Sequence, residues 1–272
     1  MKNEIYASTG AFTGMANGYD YTVIKELYPR LACDGIELMM YSAWYADFEN
    51  IINTIASYGV NIPVVHFDKC IGIHLAQHTA EDIEEAKRKF ALNVWAAKRV
   101  GAKKAVFHLW GGQNSDIFIE RSLKYLPDFY RECDEAGVGL LIENIPARYH
   151  GPFSNWCRVR EVCPDARFIY DTRFGEFHAE HGLIMHRGLW GRVRHIHISS
   201  FDRSKVEIWG LIRPILHPGE GCVDLPALVA SMPEYEHSVT LESPVLAKSG
   251  EIDLEKLNSS LLYLAELFGR EE

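Results

Sequence analysis

The sequence GLLIEN at residues 139–144 and the sequence ARFIYD at residues 166–171 share one pattern, a short apolar run that ends at or beside a carboxylic acid. Runs of this length are typical of buried strands, and the interval between the two leaves room for a helix. The runs RVRHIHIS at 192–199 and HSVTLES at 237–243 repeat the pattern. Ionisable side chains therefore stand at or near the ends of four predicted strands: Glu143, Asp171, His197 and Glu242.

Four earlier runs extend this alternation of strands and helices to the start of the chain. They are EIYAST at 4–9, GIELMM at 35–40, IPVVHF at 62–67 and KKAVFHL at 103–109. Seven of the eight predicted strands are followed by a segment with helical character or length. Consecutive β-then-α units imply parallel strands with right-handed crossovers. The sequence therefore predicts an α/β fold, a (β/α)8 or TIM barrel, in which residues 1–272 form a single domain.

The segment after the third predicted strand carries the clearest helix signals. Thr79 precedes the run AEDIEEAKRKFALNVWAAKRV, Asp82 follows three residues after it, and Gly101 closes the run. This is the pattern of a helix N-cap and a glycine at the C-terminal end. Leucines at spacings of three and four predict a last helix over 254–267, and core burial explains them better than a coiled-coil partner.

The composition argues against some classes of function. The formal net charge is −9 and 47% of the residues are hydrophobic, which suits a large core and gives no basic footprint for nucleic acid or an anionic membrane. No run reaches the ~20 apolar residues of a membrane helix, and the N-terminus lacks the apolar core of a secretory signal. A cytoplasmic location is expected. The six cysteines include no CxxC pair, which favours reduced thiols over disulfides.

The four strand-end residues are the candidate metal ligands. In a (β/α)8 barrel the carboxyl ends of the strands converge on one pocket, so residues remote in sequence become neighbours. Three carboxylates and one imidazole suit a single divalent cation. We therefore expect Glu143, Asp171, His197 and Glu242 to bind one metal ion. The alternative for each is a structural ion pair or hydrogen bond, since a lone buried charge is costly.

Other histidines near strand ends are further candidates. His195 and His197 are two residues apart, so both point to one face of their strand. His197 lies nearer the loop and is the expected ligand, whereas His195 is a supporting or core imidazole. His66 and His108 end two other strands and are candidate substrate-binding residues or ligands of additional metals. A structural strand-end histidine is an equal alternative for these two.

Two weaker signals follow the seventh predicted strand. Arg203 and Lys205 are candidates for pairing with a substrate anion, although solvent-facing charges are the simpler interpretation. The glycine-rich GEG at 219–221 either brings backbone N–H groups near a phosphate or serves as a tight connection.

The donor set predicts a type of chemistry. A hard cation polarises a carbonyl or hydroxyl group, while neighbouring carboxylates move protons. Glu143 and Glu242 are placed to flank a substrate, one removing a proton from carbon and the other returning it. Negative charge then develops on oxygen in an enediolate, which the metal stabilises. The sequence thus predicts an isomerase or epimerase.

Eight fragments of the chain, taken together, resemble the xylose isomerase-like TIM barrel superfamily, specifically its sugar phosphate isomerase/epimerase branch. They are GIEL, VVH, VFH, LIEN, IYDT, HIHIS, HPGEGCVD and TLES. The resemblance implies one divalent metal ion, Mn, Mg, Co or Zn, held by Glu143, Asp171, His197 and Glu242. It implies Glu143 and Glu242 as the acid and base, and a small-molecule carbohydrate as substrate. It also implies that Arg203 contacts this substrate.

One departure from that family concerns the segment after the sixth strand. Many relatives have DxxH there, whereas this chain has Asp171 followed by Phe174 at the position of the histidine. His178, four residues further on, is the candidate replacement as a substrate-binding residue. The departure affects the expected substrate and the expected activity.

Two alternatives remain open at this point. Endonuclease IV, a DNA-repair phosphodiesterase, resembles the same barrel, but Phe174 and the sequence RPILHPGEG lack metal ligands of that enzyme, so nucleic acid is not the favoured partner. The second alternative is a catalytically inactive sugar-binding barrel, because a fold does not guarantee a reaction. No membrane partner is expected, and a homo-oligomer is compatible with the sequence.

Overall fold

The computed structural model describes residues 3–77, 79–205 and 212–269, without the side chain of Lys205. The strands are β1 (Ile5–Ser8), β2 (Gly35–Met39), β3 (Val64–His66), β4 (Lys104–Phe107), β5 (Gly139–Glu143), β6 (Arg167–Asp171), β7 (Val193–Ile198), β8 (Ser200–Phe201), β9 (Ile215–Leu216) and β10 (Ser238–Leu241). Eight of these pair in parallel and close into a barrel in the order β1-β10-β7-β6-β5-β4-β3-β2. The predicted single-domain (β/α)8 fold is confirmed, and each predicted run contains one barrel strand.

Helices connect the strands and cover the outside of the barrel. The α-helices are α1 (Val23–Leu27), α2 (Phe48–Ala56), α3 (Cys70–Gln77), α4 (Ala80–Val100), α5 (Ile119–Leu123), α6 (Leu126–Glu135), α7 (Pro152–Val162), α8 (Thr172–His178), α9 (His181–His186), α10 (Leu225–Ser231) and α11 (Leu254–Leu267). Within the described ranges, no helix is long and apolar enough to cross a membrane.

The predicted ends of α4 are confirmed. The Thr79 hydroxyl accepts a hydrogen bond from the backbone N–H of Asp82, and Gly101 ends the helix in the left-handed conformation at φ 81°. Apolar residues at spacings of three and four, Ile83, Ala86, Phe90, Val94 and Ala97, predict one buried face of this helix; the last four are buried and Ile83 is half-buried. In α11 the leucines at 257, 261 and 264 are likewise buried in the core.

The loop after β7 contains a short hairpin that the sequence pattern did not reveal. Strands β8 and β9 pair antiparallel, Ser200 opposite Leu216 and Phe201 opposite Ile215. Gly221 packs against this hairpin so closely that an added Cβ would lie 2.2 Å from the Ser200 hydroxyl. The GEG segment at 219–221 is therefore a tight connection, which is one of the two interpretations given from the sequence. The Lys205 side chain lies outside the described residues.

Candidate metal centre and active site

Side chains inside the barrel form layers, because every second residue of a strand points inward. An apolar layer comprises Tyr6, Val64, Val106, Leu141 and Ile169. Two residues further along the chain, at the ends of β3, β5 and β6 and directly after β4, the residues are polar: His66, Glu143, Asp171 and His108. From one inward-pointing residue to the next, the side chains thus change from apolar to ionisable. The change occurs at the carboxyl ends of the strands, where the active sites of such barrels lie.

The four sequence-predicted ligands meet in this polar layer. One donor atom from each of Glu143, Asp171, His197 and Glu242 lies within 4.8 Å of every other. The Nδ1 atom of His197 lies 3.0 Å from Glu143 Oε1 and 3.3 Å from Glu242 Oε1. Glu143, Asp171 and His197 are buried, and Glu242 is nearly so. Residues about 100 positions apart in sequence therefore share one small volume.

Asp171 has two different oxygens at this site. Its Oδ1 accepts a hydrogen bond of 2.9 Å from the backbone N–H of Phe174 and so caps α8. Its Oδ2 is buried and has no hydrogen-bond partner among the described residues. Burial raises the pKa of Asp171 to about 7, the Arg173 charge opposes this, and the charges of Glu242 and Glu143 reinforce it. A buried acceptor without a donor is costly, and a cation is one group that satisfies it.

Asn144 fixes Asp171 relative to Glu143. The Asn144 side-chain amide donates to the backbone O of Asp171 at 3.0 Å, and the Asp171 backbone N–H donates to Asn144 Oδ1 at 2.6 Å. The Asn144 side chain therefore extends the hydrogen bonding between β5 and β6 by one more pair of hydrogen bonds. It explains physically why an asparagine directly follows the acid in GLLIEN.

His197 is held by carboxylates on both sides of its ring. Its Nε2 lies 2.9 Å from Glu37 Oε2, while Nδ1 faces Glu143 and Glu242. Burial lowers the pKa of His197, but the charges of Glu242, Glu37 and Glu143 outweigh burial and raise it well above its ordinary value. A proton on Nδ1 thus stands between two carboxylates. The Nε2–H group of His197 donates to Glu37. Removal of the Nδ1 proton would therefore leave an Nδ1 lone pair that faces Glu143 and Glu242.

Glu37 is the functional candidate that the sequence analysis missed. It is fully buried on β2, and its Oε2 accepts from His195 Nε2 at 3.0 Å, from His197 Nε2 and from the Thr240 hydroxyl at 3.0 Å. These contacts outweigh burial and hold the pKa of Glu37 well below its ordinary range. The signal was an acid inside the apolar run GIELMM, where only a paired charge is tolerated.

His195 lies one layer below His197 on the same face of β7, as predicted. Its Nδ1 lies 2.7 Å from the Ser238 hydroxyl, which also lies 2.7 Å from Lys104 Nζ. Burial lowers the pKa of His195 to about 4, so the ring is neutral near pH 7. A continuous line of hydrogen bonds therefore runs along the barrel interior from Lys104 through Ser238, His195 and Glu37 to His197.

His66 and His108 stand beside Glu143. The Nε2 of His108 contacts Glu143 Oε2, and the Nε2 of His66 lies 3.6 Å from the same oxygen. His66 Nδ1 lies 3.0 Å from the backbone O of Phe67, to which it can donate. Burial lowers the pKa of His108 to about 4. Both imidazoles therefore border the candidate centre, and with Glu143 they form a second group that could hold a metal ion.

Arg203 and His178 lie against other elements. Arg203, whose side chain is 53% exposed, donates to the backbone O and a carboxylate oxygen of Glu176 on α8. His178 Nε2 accepts a hydrogen bond from the backbone N–H of Ala147 at 3.3 Å. The structure thus places His178 against the loop after β5, and Arg173 and Phe174 line the cavity beside the centre. Substrate contact by Arg203 or His178 remains a prediction.

The fold and the clustered acids define a (β/α)8 barrel whose candidate site lies at the carboxyl end of its strands. Residues 27–262 match the family model described as xylose isomerase-like TIM barrel. The chain belongs to this family, and the resemblance stated from its sequence fragments is confirmed. At the level of sequence, no curated protein matches the chain significantly.

Solved structures with the same fold include sugar epimerases. The IolI protein with a bound zinc atom is 14% identical, with a TM-score of 0.71 over 97% of this chain and 98% of that chain. The 3-keto-D-glucoside 4-epimerase YcjR from E. coli is 17% identical, with a TM-score of 0.66 over 97% and 100%. The D-allulose 3-epimerase from Methylomonas sp., in complex with D-allulose, is 14% identical, with a TM-score of 0.66 over 99% and 94%. At these identities the likeness shows the fold.

Proposed function

We propose that this protein is a divalent-metal-dependent isomerase or epimerase of a small sugar or keto-sugar. The observation that carries the proposal is that Glu143 and Glu242 both place a carboxylate oxygen beside His197 Nδ1, at 3.0 and 3.3 Å. Two acids from different strands of one pocket can address a substrate from two directions. The epimerases of the same fold support this choice of reaction class.

Glu143 suits the role of the base. Burial raises its pKa, but the contacts with His108 and His197 outweigh burial and lower it well below the ordinary value. The side chain is therefore a carboxylate at neutral pH and can accept a proton from carbon. Its position is fixed by His108 and His197, so little reorganisation is needed when the substrate binds. Glu242, slightly more open, would return a proton to the opposite face of the substrate.

The donor set fits a divalent cation. Glu143, Asp171, His197 and Glu242 would hold it, because Asp171 Oδ2 is buried without a hydrogen-bond donor among the described residues and three carboxylates converge there. When bound, the ion would neutralise negative charge that develops on a substrate oxygen. The zinc atom of the structurally similar IolI protein supports metal binding but leaves the identity of the ion here open among Mn, Mg, Co and Zn.

Solvent exchange tests the proposal. Protein freed of metal by a chelator and then supplied with Mn²⁺, Mg²⁺, Co²⁺ or Zn²⁺ is incubated in D2O with a panel of ketoses and aldoses. We expect deuterium at the carbon beside the carbonyl and a new epimer or isomer, with at least one metal, and neither without metal. Full turnover by the chelator-treated protein, or no exchange with any panel member, would contradict the proposal.

One observation favours a second candidate, a metal phosphodiesterase similar to endonuclease IV. The second group, His66, His108 and Glu143, could hold another ion. Phe174 supplies no ligand, however, and the His217 ring is already engaged by the Ser260 hydroxyl and the backbone O of Pro244. Cleavage of DNA at an abasic site by the zinc-loaded protein would favour this candidate. A protein that binds no metal would instead favour a catalytically inactive barrel.

A further inference from the structure

The amino-terminal end of the barrel contains a cavity of about 310 Å³, at the opposite end of the strands from the candidate metal centre. It lies between the first residues of β4, β5 and β6, which are Lys104, Gly139 and Arg167. Leu141, which belongs to the apolar layer inside the barrel, also lines it. The cavity therefore extends into the barrel interior, and its volume lies at the lower end of the range for small-ligand sites, about 300–1,000 Å³.

A glycine leaves the room for this cavity. Residues two apart in a strand point to the same side, so Gly139 occupies an inward position next to Leu141. An added Cβ at Gly139 would lie 3.5 Å from the backbone O of Lys103 and 3.6 Å from Nη1 of Arg167, which are ordinary contact distances. Glycine weakens a strand and often marks a place where another group approaches the backbone. The space beside Gly139 thus suits a small ligand.

The charges that line this cavity are mostly positive. They belong to four cations and, among the described residues, one acid: Lys103, Lys104, Arg167, Arg194 and Asp134. The acid is exposed and forms no ion pair in the described part of the chain. In the whole chain, by contrast, acids outnumber bases by 37 to 28. Cations gathered around one cavity raise the local positive potential, which attracts anions.

Arg194 is a fixed cation in this group. Its Nη1 donates to the backbone O of Gly191 at 2.7 Å and to the backbone O of Val193 at 2.9 Å. Its Nε and Nη2 have no hydrogen-bond acceptor within the described ranges. Burial lowers the pKa of the Arg194 guanidinium, and the positive charge of Arg167 lowers it further. The two guanidinium groups therefore repel each other, and Arg194 presents unused N–H groups of the kind that bind phosphate.

Lys104 is a second cation with an unused donor. Its ammonium donates to the backbone O of Arg194 at 3.0 Å and to the Ser238 hydroxyl at 2.7 Å. An ammonium has three N–H groups, so one is left without an acceptor among the described residues. Burial lowers the pKa of Lys104 to about 8; the charge of Glu4 opposes this and the charge of Arg194 reinforces it. A nearby anion would offset this penalty on the charged amine.

Lys103 and Arg167 stand at the rim of the cavity. Both residues are exposed. In the part of the chain that the structure describes, neither side chain forms a hydrogen bond or an ion pair. The rim therefore adds two cations whose charge no acid neutralises.

We propose that the amino-terminal mouth of the barrel, formed by Lys103, Lys104, Gly139, Arg167 and Arg194, binds a small oxyanion: inorganic phosphate or the phosphate group of a monoester. The fixed groups of Lys104 and Arg194 bind its oxygens, while Lys103 and Arg167 supply charge from the rim. The anion relieves the repulsion among the cations and so stabilises this end of the barrel. The site goes beyond the proposed isomerase or epimerase function and takes no part in that reaction.

Titration calorimetry with inorganic phosphate tests the proposal. The full chain is titrated before and after treatment with a chelator, because a bound metal ion could itself hold phosphate. We expect a saturable phosphate site that is retained after chelation. Loss of all phosphate binding after chelation would place the anion at the metal centre and overturn the inference.

Two double variants with the same change of charge locate the phosphate. Lys103→Gln/Arg167→Gln removes the cations at the rim of the amino-terminal mouth and should weaken phosphate binding by at least about tenfold. Lys69→Gln/Arg213→Gln is the matched control, because it removes two exposed cations from the cavity beside the candidate metal centre. This control should bind phosphate as the natural chain does. Equal weakening in both variants, or none in the first, would overturn the inference.

A variant that keeps all four cations gives an independent test. Gly139→Val fills the cavity with a residue that suits a strand, and circular dichroism checks the fold. We expect phosphate to raise the denaturation midpoint of the natural chain more than that of the variant, because only the natural chain has the site. The general stabilising effect of phosphate as a salt is common to both proteins. An equal rise in the two midpoints would contradict the proposal.

Glycerol phosphate distinguishes the two sources of the anion. Tighter binding of this monoester than of inorganic phosphate would support a phosphorylated metabolite as the ligand, and the reverse order would support the free ion. Either order supports the site when Gly139→Val abolishes the binding. If the natural chain binds neither compound, the inference is wrong.

Discussion

At the amino-terminal end of the barrel, Lys104 Nζ donates to the backbone O of Arg194 at 3.0 Å and to the Ser238 hydroxyl at 2.7 Å. At the carboxyl end, by contrast, Asp171 Oδ2 is buried without a hydrogen-bond donor within the described ranges, and Glu143 and Glu242 both face one nitrogen of His197. Both ends contain ionisable groups inside the protein. In the described part of the chain, the carboxyl end gathers three carboxylates around the His197 imidazole, whereas the Lys104 ammonium has two acceptors.

The difference separates stability from function. A buried charge whose hydrogen bonds are satisfied is tolerated and stabilises the fold. Several buried carboxylates close together repel one another, and they are retained where a bound cation or ligand compensates their charge. In (β/α)8 barrels the chemistry is found at the carboxyl ends of the strands. The carboxyl end of this barrel therefore has the electrostatic character of a site, and five substitutions test the comparison.

The largest expected effect is on turnover. Glu143→Gln and Glu242→Gln keep the shape of each side chain but remove its ability to take up a proton. We expect kcat to fall by about 10²–10⁴-fold, the range for loss of a general acid or base. Turnover is measured by the deuterium exchange described above, and circular dichroism checks the fold. Glu266→Gln, at an exposed acid on α11, is the matched control, and retained activity in either site variant would reject its acid or base role.

The next effect concerns stability without metal. The pKa of Asp171 is raised to about 7 from 3.8, mainly by burial. The folded protein therefore holds a proton that the unfolded chain releases between these pH values, and the free energy of unfolding falls as pH rises from about 4 to 7. Asp171→Asn resembles the protonated acid and lacks this dependence. Above pH 7 the metal-free variant should be more stable than the natural chain by up to about 4 kcal/mol.

Chemical denaturation of both proteins at pH 4.5 and 7.5 checks this expectation. Added metal should reverse the order at pH 7.5, because the ionised Asp171 then has a partner. A stability difference that does not change between the two pH values would contradict the assignment.

The amino-terminal end should show the opposite pH dependence. Burial lowers the pKa of Lys104 to about 8 from 10.5. Between these values the unfolded chain holds the extra proton, so the free energy of unfolding rises with pH, by at most about 3 kcal/mol. Lys104→Met removes the titrating group. The stability of the natural chain relative to this variant should therefore increase from pH 8 to pH 10.5, and a flat difference would show that the ammonium is not penalised.

The smallest effect is on metal affinity through His197. Glu37→Gln removes the carboxylate that orients this imidazole, and loss of such a partner costs about 10–100-fold in affinity. Dissociation constants from competition with a metal-binding dye are the measurement. Glu4→Gln is the control, because Glu4 accepts from the Tyr6 hydroxyl at 2.6 Å near the start of β1. Equal affinities for the two variants would separate Glu37 from the metal site.

Much of the barrel could be predicted from the sequence, because its signals are local. Each strand is a short apolar run, and the caps of α4 at Thr79 and Gly101 depend on neighbouring residues alone. The clustering of Glu143, Asp171, His197 and Glu242 also followed, since the register of a parallel barrel brings strand ends together.

Other features depend on contacts between distant segments and could not be predicted in this way. Glu37 lies 158 residues from His195, and nothing near it in sequence identifies its partner. The direction of His178 depends on α8, which begins at Thr172 and carries this side chain to the backbone of Ala147. The cations that line the cavity beside the centre come from three separate loops, at Lys69, Arg148 and Arg213, and from the start of α8, at Arg173.

The line of hydrogen bonds inside the barrel has a direction. The Lys104 ammonium can only donate, so Ser238 accepts from it and gives its own proton to His195 Nδ1. His195 must then carry its hydrogen on Nε2, where Glu37 receives it beside the hydrogen from His197 Nε2. The Lys104 amine at the amino-terminal end thereby selects the tautomer of His195, and the Nε2–H group of that ring helps to hold Glu37, the carboxylate that orients His197. A redesign of the candidate metal centre therefore has to preserve an ammonium group at the opposite end of the barrel.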